Sequence, residues 1–415
     1  MKLNVAIAGM VATIVIALPV VAAAQVAVPD VPNPIILNPV VTPLTSTAVR
    51  MISYRHENHS WQSSDRAVHI LINQGNQPGN DALRLFSTVD RGVSWLSGPS
   101  FSDSGETSTQ DGFLAGNLLD VVYSTSANDI KFASLRWNPA SSVWTSVGSS
   151  TVFASSTSFA VNPGIAADAA GNLWVPFVVG DLTTFDNSIR MIVQAAGSGT
   201  WTDTGLVFGT VDNASIERSA RPVRIPGGMG MVFTVHDDFY WATRPDSAGL
   251  DDSWSVQPLY TRTGEGTDPY ASHFSLVADA AGNVHLATVD GGQLIYLRYD
   301  AASGTWAPPR QLTNQITGAY PQVSIMPGVL VVALDIGTNA GVYVSRDSGT
   351  TFSYIYKLVH GMEGGGNDFT YPRLETPTYA ASPLLLFQQF SNGATEKLMQ
   401  YTIPVRVTSS AVPVQ

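Results

Sequence analysis

Arginine, tyrosine and histidine recur in this sequence where short apolar runs begin, and together they suit chemistry on a carboxylate-bearing sugar. Arg221 precedes Pro222 at one such point, Tyr320 precedes a proline at a later one, and His273 lies between them in the chain. A guanidinium can hold a carboxylate through two parallel hydrogen bonds. A tyrosine or histidine beside it can remove the C5 proton of a uronate while the arginine neutralises the developing charge.

The wider set of candidates comes from the polar segments that separate the apolar runs. The candidate catalytic residues are His273, Tyr320, Tyr371, Glu217, His236 and Asp237. The candidate substrate-binding residues are Arg221, Arg224, Arg373 and Tyr270. Each has a second interpretation: the tyrosines could pack between repeats, His236 and Asp237 could hold a metal ion or form an ordinary polar loop, and Arg221 could pair with a loop carboxylate.

Glycoside hydrolysis is an alternative chemistry, since it needs two carboxyl groups at the right separation. The available carboxylates include Asp111, Glu217, Asp237, Glu265, Asp268, Glu363 and Asp368. His56 and His59 form a further weak cluster with Glu57, whereas His69 and His285 are predicted to be core residues on strands.

Motifs for other chemistries are missing. The sequence has no HExxH, GxSxG, P-loop or EF-hand pattern, so zinc protease, serine hydrolase and nucleotide-binding functions lack support. We therefore predict no cofactor, with a structural calcium ion as the alternative.

Composition and charge limit the classes of molecule that the protein is expected to bind. The chain has 415 residues, 13% of them charged, a net charge of −11 and no cysteine. Without a basic stripe, nucleic acid is not an expected partner. Residues 1–24 have the layout of a secretory signal peptide, with Lys2, an apolar stretch and a small-residue cleavage site. We expect a secreted or periplasmic monomer that leaves the membrane after cleavage; an uncleaved anchor is the alternative.

A repeat positions these residues. Aromatic residues follow small-residue turns at intervals of 46 to 57 residues, namely Trp95, Trp144, Trp201, Trp254, Trp306 and Phe352. Short Val, Ile, Leu and Tyr runs between Gly, Asn and Asp turns indicate strands. A period near 50 predicts an all-β β-propeller of seven four-stranded blades, with six or eight as alternatives. The predicted domains are a Val/Pro-rich lead-in over 25–48, a propeller over 49–408 and a tail over 409–415. The lead-in around Pro39–Leu44 is predicted to supply the last outer strand and close the ring.

Two late turns carry a more specific pattern. Thr88–Trp95 and Ser345–Phe352 both fit S/T-x-D-x-G-x-x-W/F, which resembles the Asp-box, or BNR repeat, of the sialidase-like propeller superfamily. In that superfamily the turns lie opposite the ligand funnel, so the resemblance implies that Asp90 and Asp347 are structural.

The segment Val223–Pro226 resembles the F/Y-R-I-P element from which sialidases take one carboxylate-binding arginine, although here it follows the first Asp-box rather than preceding it. A sialidase-type nucleophile would also need a tyrosine with a neighbouring glutamate. Arg373 could face Arg221 across the funnel. Two hypotheses follow: a carbohydrate-active propeller, hydrolase or lyase, acting on an anionic polysaccharide or glycoconjugate, or a non-catalytic module that binds a glycan or protein.

Overall fold

A computed structural model of the protein describes residues 34–48, 50–52, 57–75, 83–213, 218–263, 271–313, 318–336, 339–359, 374–391 and 395–406. These residues form seven sheets arranged in a ring, so the fold is a seven-bladed β-propeller, as predicted. No helix in the described ranges is long and apolar enough to cross a membrane.

The strands are short and carry the predicted alternation of apolar runs and turns. The first fifteen are β1 (Ile35–Leu37), β2 (Val40–Ser46), β3 (Ser60–Gln62), β4 (Val68–Asn73), β5 (Leu83–Thr88), β6 (Leu96–Phe101), β7 (Gln110–Ala115), β8 (Leu118–Ser124), β9 (Ile130–Asn138), β10 (Val143–Phe153), β11 (Ser158–Val161), β12 (Ala166–Ala167), β13 (Leu173–Asp181), β14 (Asn187–Gln194) and β15 (Trp201–Asp212). The remainder are β16 (Ala220–Ile225), β17 (Gly228–Val235), β18 (Asp238–Pro245), β19 (Ser255–Thr261), β20 (Phe274–Ala278), β21 (Val284–Asp290), β22 (Gln293–Asp300), β23 (Thr305–Trp306), β24 (Arg310–Gln311), β25 (Ala319–Met326), β26 (Val329–Asp335), β27 (Asn339–Ser345), β28 (Ser353–Val359), β29 (Leu374–Glu375), β30 (Leu384–Ser391) and β31 (Glu396–Ile403).

Each blade is an antiparallel meander from an inner to an outer strand. Blades 1 and 2 are β3–β6 and β7–β10, blade 3 is β11–β15 with its inner strand split in two, and blade 4 is β16–β19. Blade 5 is β20–β24 with a split outer strand, and blade 6 is β25–β28, to which β1 adds a parallel fifth strand.

Blade 7 closes the ring with strands from both ends of the chain. Its inner three strands are β29, β30 and β31, and β2 pairs with β31 in the register Val40↔Gln400 and Ser46↔Glu396. This pairing confirms the predicted closure by the lead-in.

The recurring aromatic residues pack each blade against the one before it. The ring contacts, with centroid distances, are Trp95–Phe387 at 5.8 Å, Trp144–His69 at 4.8 Å, Trp201–Phe132 at 5.3 Å, Trp254–Trp174 at 5.7 Å, Trp306–Trp241 at 5.2 Å and Phe352–Tyr296 at 4.8 Å. Because every partner lies in the preceding blade, one aromatic per repeat is enough to set the period seen in the sequence.

The two S/T-x-D-x-G turns join third to fourth strands. Asp90 accepts hydrogen bonds from the Ser94 backbone N–H at 2.8 Å and from the Ser94 hydroxyl at 2.6 Å. Asp347 accepts the same pair from Thr351 at 2.7 Å and 2.6 Å. These bonds lower the pKa of the Asp90 carboxyl, so it is an ionised acceptor that organises its own turn.

The meander gives the ring two faces. The loops that enter each inner strand lie beside the turns that join second to third strands, as the pairing of Ser158 with Asp181 shows in blade 3. We call this side the entry face. The turns of Asp90 and Asp347 lie on the opposite face, in agreement with the predicted placement.

Candidate functional site

Two of the predicted catalytic side chains meet on the entry face. His273 immediately precedes β20 in blade 5, Tyr320 is the second residue of β25 in blade 6, and their ring centroids lie 5.1 Å apart. His273 is buried, with 5% of its surface exposed, and Tyr320 is half-buried. Tyr320 has a φ of 51°, in the left-handed region that bulky residues rarely adopt. Such strain persists only where the surrounding structure enforces it, often at functional sites.

Arg221 lies one blade before His273 and already holds a carboxylate. It is the second residue of β16, and its Nη1 lies 3.7 Å from Oδ1 of the fully buried Asp111 on β7. Asp111 also accepts the backbone N–H groups of Asn58 at 2.9 Å and Ile165 at 3.1 Å. Asp111, on the inner strand of blade 2, therefore binds backbone groups of both neighbouring blades, blade 1 and blade 3. Burial raises the pKa of the Asp111 carboxyl, although Arg221 and the backbone donors act in the other direction.

Glu375 is a second buried carboxyl near the axis. It ends β29 in blade 7, is completely buried, and accepts a hydrogen bond from the Ser60 hydroxyl of blade 1 at 3.3 Å. Burial raises the pKa of the Glu375 carboxyl to about 8, with Asp111 raising it further and the backbone N–H of His59 and Arg221 opposing the rise. Glu375 is therefore mainly protonated and neutral at neutral pH.

Glu57 and His59 complete this group. Glu57 Oε2 accepts the backbone N–H of Gln110 at 3.0 Å and lies 3.7 Å from His59 Nε2. Gln110 Nε2 lies 2.7 Å from His59 Nδ1, and because an amide nitrogen can only donate, His59 Nδ1 is the acceptor. We call Glu57, His59, Gln110, Asp111, Arg221 and Glu375 the axial cluster. Its carboxylates accept N–H groups from neighbouring blades, so it holds the inner strands together.

His236 and Asp237 occupy the β17–β18 turn of blade 4, on the entry face. His236 Nε2 lies 3.6 Å from Asp212 Oδ2, and Asp237 Oδ1 lies 3.9 Å from Nη1 of the buried Arg262. The side chains of His236 and Asp237 are about 60% exposed, and each lies beside its own polar partner. No group of three or more His, Asp or Glu side chains in the described ranges is arranged to hold a metal ion.

Arg224 lies toward the opposite end of β16 from Arg221. Its Nη2 lies 3.8 Å from Asp246 Oδ2, and its side chain is 44% exposed. The structure therefore places Arg224 on the side away from His236 and Asp237. Several other candidates lie outside the described residues: Glu217, Tyr270, Tyr371, Arg373, His56, Glu265, Asp268, Glu363 and Asp368.

The two strand histidines are core residues, as predicted. His69 is fully buried, with Nε2 3.0 Å from the Ser63 hydroxyl and Nδ1 2.8 Å from the Ser87 hydroxyl. Burial lowers the pKa of His69 to about 3, so its ring is neutral. His285 is 1% exposed, and its Nδ1 lies 2.6 Å from the Tyr296 hydroxyl.

Sequence reasoning missed Glu375 and Gln110. Glu375 is the second residue of its inner strand, as Asp111 and Arg221 are of theirs, while the same position of blade 5 holds Ser275. Comparing the second residue of each inner strand across the repeats would have revealed Asp111, Arg221 and Glu375 as charged residues at one equivalent position.

A cavity of about 480 Å³ lies along the axis, between the axial cluster and the face opposite the entry face. Arg221 lines the end of the cavity near the axial cluster, and Arg224, Asp168 and Asp279 line it toward the opposite face. The Asp168 and Asp279 carboxylates accept hydrogen bonds from Asn172 and Asn283 within their own turns at 2.8 Å and 2.9 Å. These carboxylates therefore serve the turns that they begin.

Comparison with known proteins shows the fold but no family. No protein-family model and no curated protein sequence matches the chain. Among solved structures, an ulvan lyase of polysaccharide lyase family PL25 superposes with a TM-score of 0.55 at 12% identity, covering 88% of this chain and 96% of the lyase. The same values hold for the ulvan lyase bound to -[GlcA(1-4)Rha3S]-. A fucoside complex of an Aleuria aurantia lectin mutant gives a TM-score of 0.46 at 15% identity, covering 74% of this chain and 95% of the lectin.

Proposed function

We propose that the protein is a carbohydrate-active propeller that cleaves an anionic polysaccharide at its entry face, as a polysaccharide lyase. The observation that carries the proposal is the contact between His273 and Tyr320, whose rings lie 5.1 Å apart at the entries of consecutive blades. A lyase needs a base for the C5 proton and a positive group for the uronate carboxylate. One of Tyr320 and His273 would remove the C5 proton, and the electron pair would form the C4–C5 double bond as the C4–O glycosidic bond breaks. The other side chain would protonate the leaving oxygen, and Arg221 in the preceding blade would bind the carboxylate.

Lyase chemistry is favoured over hydrolysis by the state of the two buried carboxyls near the axis. Asp111 and Glu375 are completely buried and accept hydrogen bonds from the protein, so they do not present an acid and a nucleophile to a glycosidic bond. The shared fold of the ulvan lyase, whose second structure contains a glucuronate-bearing oligosaccharide, also supports a uronate substrate.

We also propose that the protein is a member of the Asp-box group of propellers. The hydrogen-bonded turns of Asp90 and Asp347 and the piece Val223–Pro226 resemble elements of sialidase-like proteins. We further propose that the protein is exported, which the signal-peptide layout of residues 1–24 supports, and that it acts as a monomer without a cofactor.

A non-catalytic glycan-binding module is the second candidate. It is favoured by the burial of two of the three residues assigned to the lyase reaction, because His273 is 5% exposed and the Arg221 side chain is 8% exposed and already paired with Asp111. A polymer threaded across the entry face would then meet only the exposed loop residues.

One experiment separates the two candidates. The purified protein is incubated with ulvan, polygalacturonate, alginate and hyaluronan, and ultraviolet absorbance of the unsaturated uronate and binding are both measured. Lyase activity should appear on one polymer, fall strongly in Tyr320→Phe and His273→Ala, and persist in Tyr299→Phe, a matched loss of a hydroxyl at the blade 4–blade 5 contact. Binding without product would favour the module, and silence in both assays would refute a uronate glycan.

A further inference from the structure

Phe185 has an unusual position for an aromatic residue. It lies in the turn between β13 and β14 of blade 3 and is 60% exposed, the only exposed Phe, Tyr or Trp side chain in the described part of the chain. Its neighbour Leu182 is 45% exposed. Since the turn lies beside the entry strand β11, the two apolar side chains stand on the entry face, on the same side as His273 and Tyr320.

The backbone at Phe185 is strained as well. Its φ is 61°, in the left-handed region that glycine and asparagine adopt readily and bulky residues do not. A glycine there would relieve the strain and remove exposed apolar surface. The folded state therefore gains nothing from phenylalanine at this position, and such outliers point to function.

The turn is nevertheless rigidly built. Asp181 Oδ1 accepts the backbone N–H groups of Thr183 at 2.7 Å and Thr184 at 2.9 Å, and the Phe185 N–H donates to the Asp181 carbonyl at 3.0 Å. The Leu182 N–H donates to the carbonyl of Thr157, in the loop that enters blade 3, at 3.0 Å. The ring is thus presented from a turn that is fixed at both ends.

We propose that Phe185, with Leu182 beside it, is a stacking subsite that takes a neutral sugar residue of the glycan. The apolar C–H face of a pyranose ring can cover an exposed aromatic ring, which removes both from water. The two carboxylates of this turn, Asp181 and Asp186, favour a neutral sugar over a uronate because like charges repel. They can also accept hydrogen bonds from its hydroxyl groups. The inference rests on the proposed function, and it deepens that function by assigning a position for the neutral part of the substrate.

Three variants of the full chain test the subsite. Phe185→Gly removes the ring and the strain, Phe185→Leu keeps apolar area and strain without the ring, and Phe185→Tyr keeps the ring. The probes are hyaluronan, in which a neutral N-acetylated sugar alternates with a uronate, and polygalacturonate, which is built of uronate. Affinity for hyaluronan should fall about tenfold in Phe185→Gly and Phe185→Leu, equivalent to about 1.4 kcal/mol. It should be retained in Phe185→Tyr, and affinity for polygalacturonate should not change.

Thermal unfolding provides the second readout. Phe185→Gly should unfold at the wild-type temperature or above it, because the ring does not pack in the fold. A clearly less stable Phe185→Gly protein, or unchanged hyaluronan affinity in Phe185→Gly or Phe185→Leu, would overturn the subsite and leave the proposed function standing. A wild-type protein that binds neither polymer and no other member of the panel would refute both.

Discussion

Replacing Glu375 with glutamine should change how the stability of the protein depends on pH. Burial raises the pKa of the Glu375 carboxyl from 4.5 to about 8, while the unfolded chain keeps the lower value. Between these two values the folded protein binds more protons than the unfolded chain, so its stability is fully present below 4.5 and is lost as pH rises through about 8. At 1.36 kcal/mol per pH unit, the total loss is about 5 kcal/mol.

Glutamine should imitate the protonated carboxyl. Its amide oxygen can accept from Ser60 as Oε1 does now, and its amide group does not ionise. Urea unfolding of the wild type and Glu375→Gln should give similar free energies at about pH 4 and then diverge, up to about pH 8, by about 1.4 kcal/mol per pH unit in favour of glutamine. Glu106→Gln, at an exposed loop position, is the matched control and should follow the wild type. Parallel curves for the wild type and Glu375→Gln would refute the reasoning.

Three further predictions concern ring closure, the turns and the core. Leu44→Ala removes a buried side chain from the closing strand and should cost about 2–5 kcal/mol in denaturant unfolding, against about 0.5 kcal/mol for the exposed Val40→Ala; equal losses would contradict closure by β2. Asp90→Ala should lower the unfolding midpoint and leave glycan affinity unchanged, because its bonds to Ser94 lie on the opposite face. Since burial lowers the pKa of His69 to about 3, the unfolded chain binds the proton first, and stability should fall as pH drops below about 6.5. In His69→Gln the free energy of unfolding should fall less over the same acid range, as measured by denaturant unfolding at several pH values.

The fold could be predicted because its determinants repeat along the chain. Each late aromatic, such as Trp144 or Trp306, contacts the preceding blade, so a local pattern reports a contact between sheets. The closing strand could be predicted because the last repeat lacked an outer strand and the Val/Pro-rich lead-in offered one. Both inferences need only the period and the strand pattern.

The site depends on contacts between distant parts of the chain, and a period does not specify them. Asp111 and Arg221 pair although 110 positions separate them, and Glu375 meets Ser60 across the point where the ring closes. The sequence indicated His273 and Tyr320 because they stand at strand entries. It gave no sign that Phe185 would be exposed and strained, since a phenylalanine near a strand end usually predicts burial.

The axial cluster links the stability of the ring to the proposed activity. When Glu375 is neutral, it adds no negative charge near Arg221, whose Nη1 lies 3.7 Å from Asp111 Oδ1, and a uronate carboxylate meets less repulsion there. When Glu375 ionises, a further negative charge acts on Arg221 in a region of low dielectric, and binding of another anion becomes less favourable. The KM of the wild type for a uronate polymer should therefore rise as pH passes about 8, whereas Glu375→Gln should keep a low KM through that range. A rise in KM of the same size in both proteins would show that another group controls binding. It would also argue against a contact between Arg221 and the substrate carboxylate.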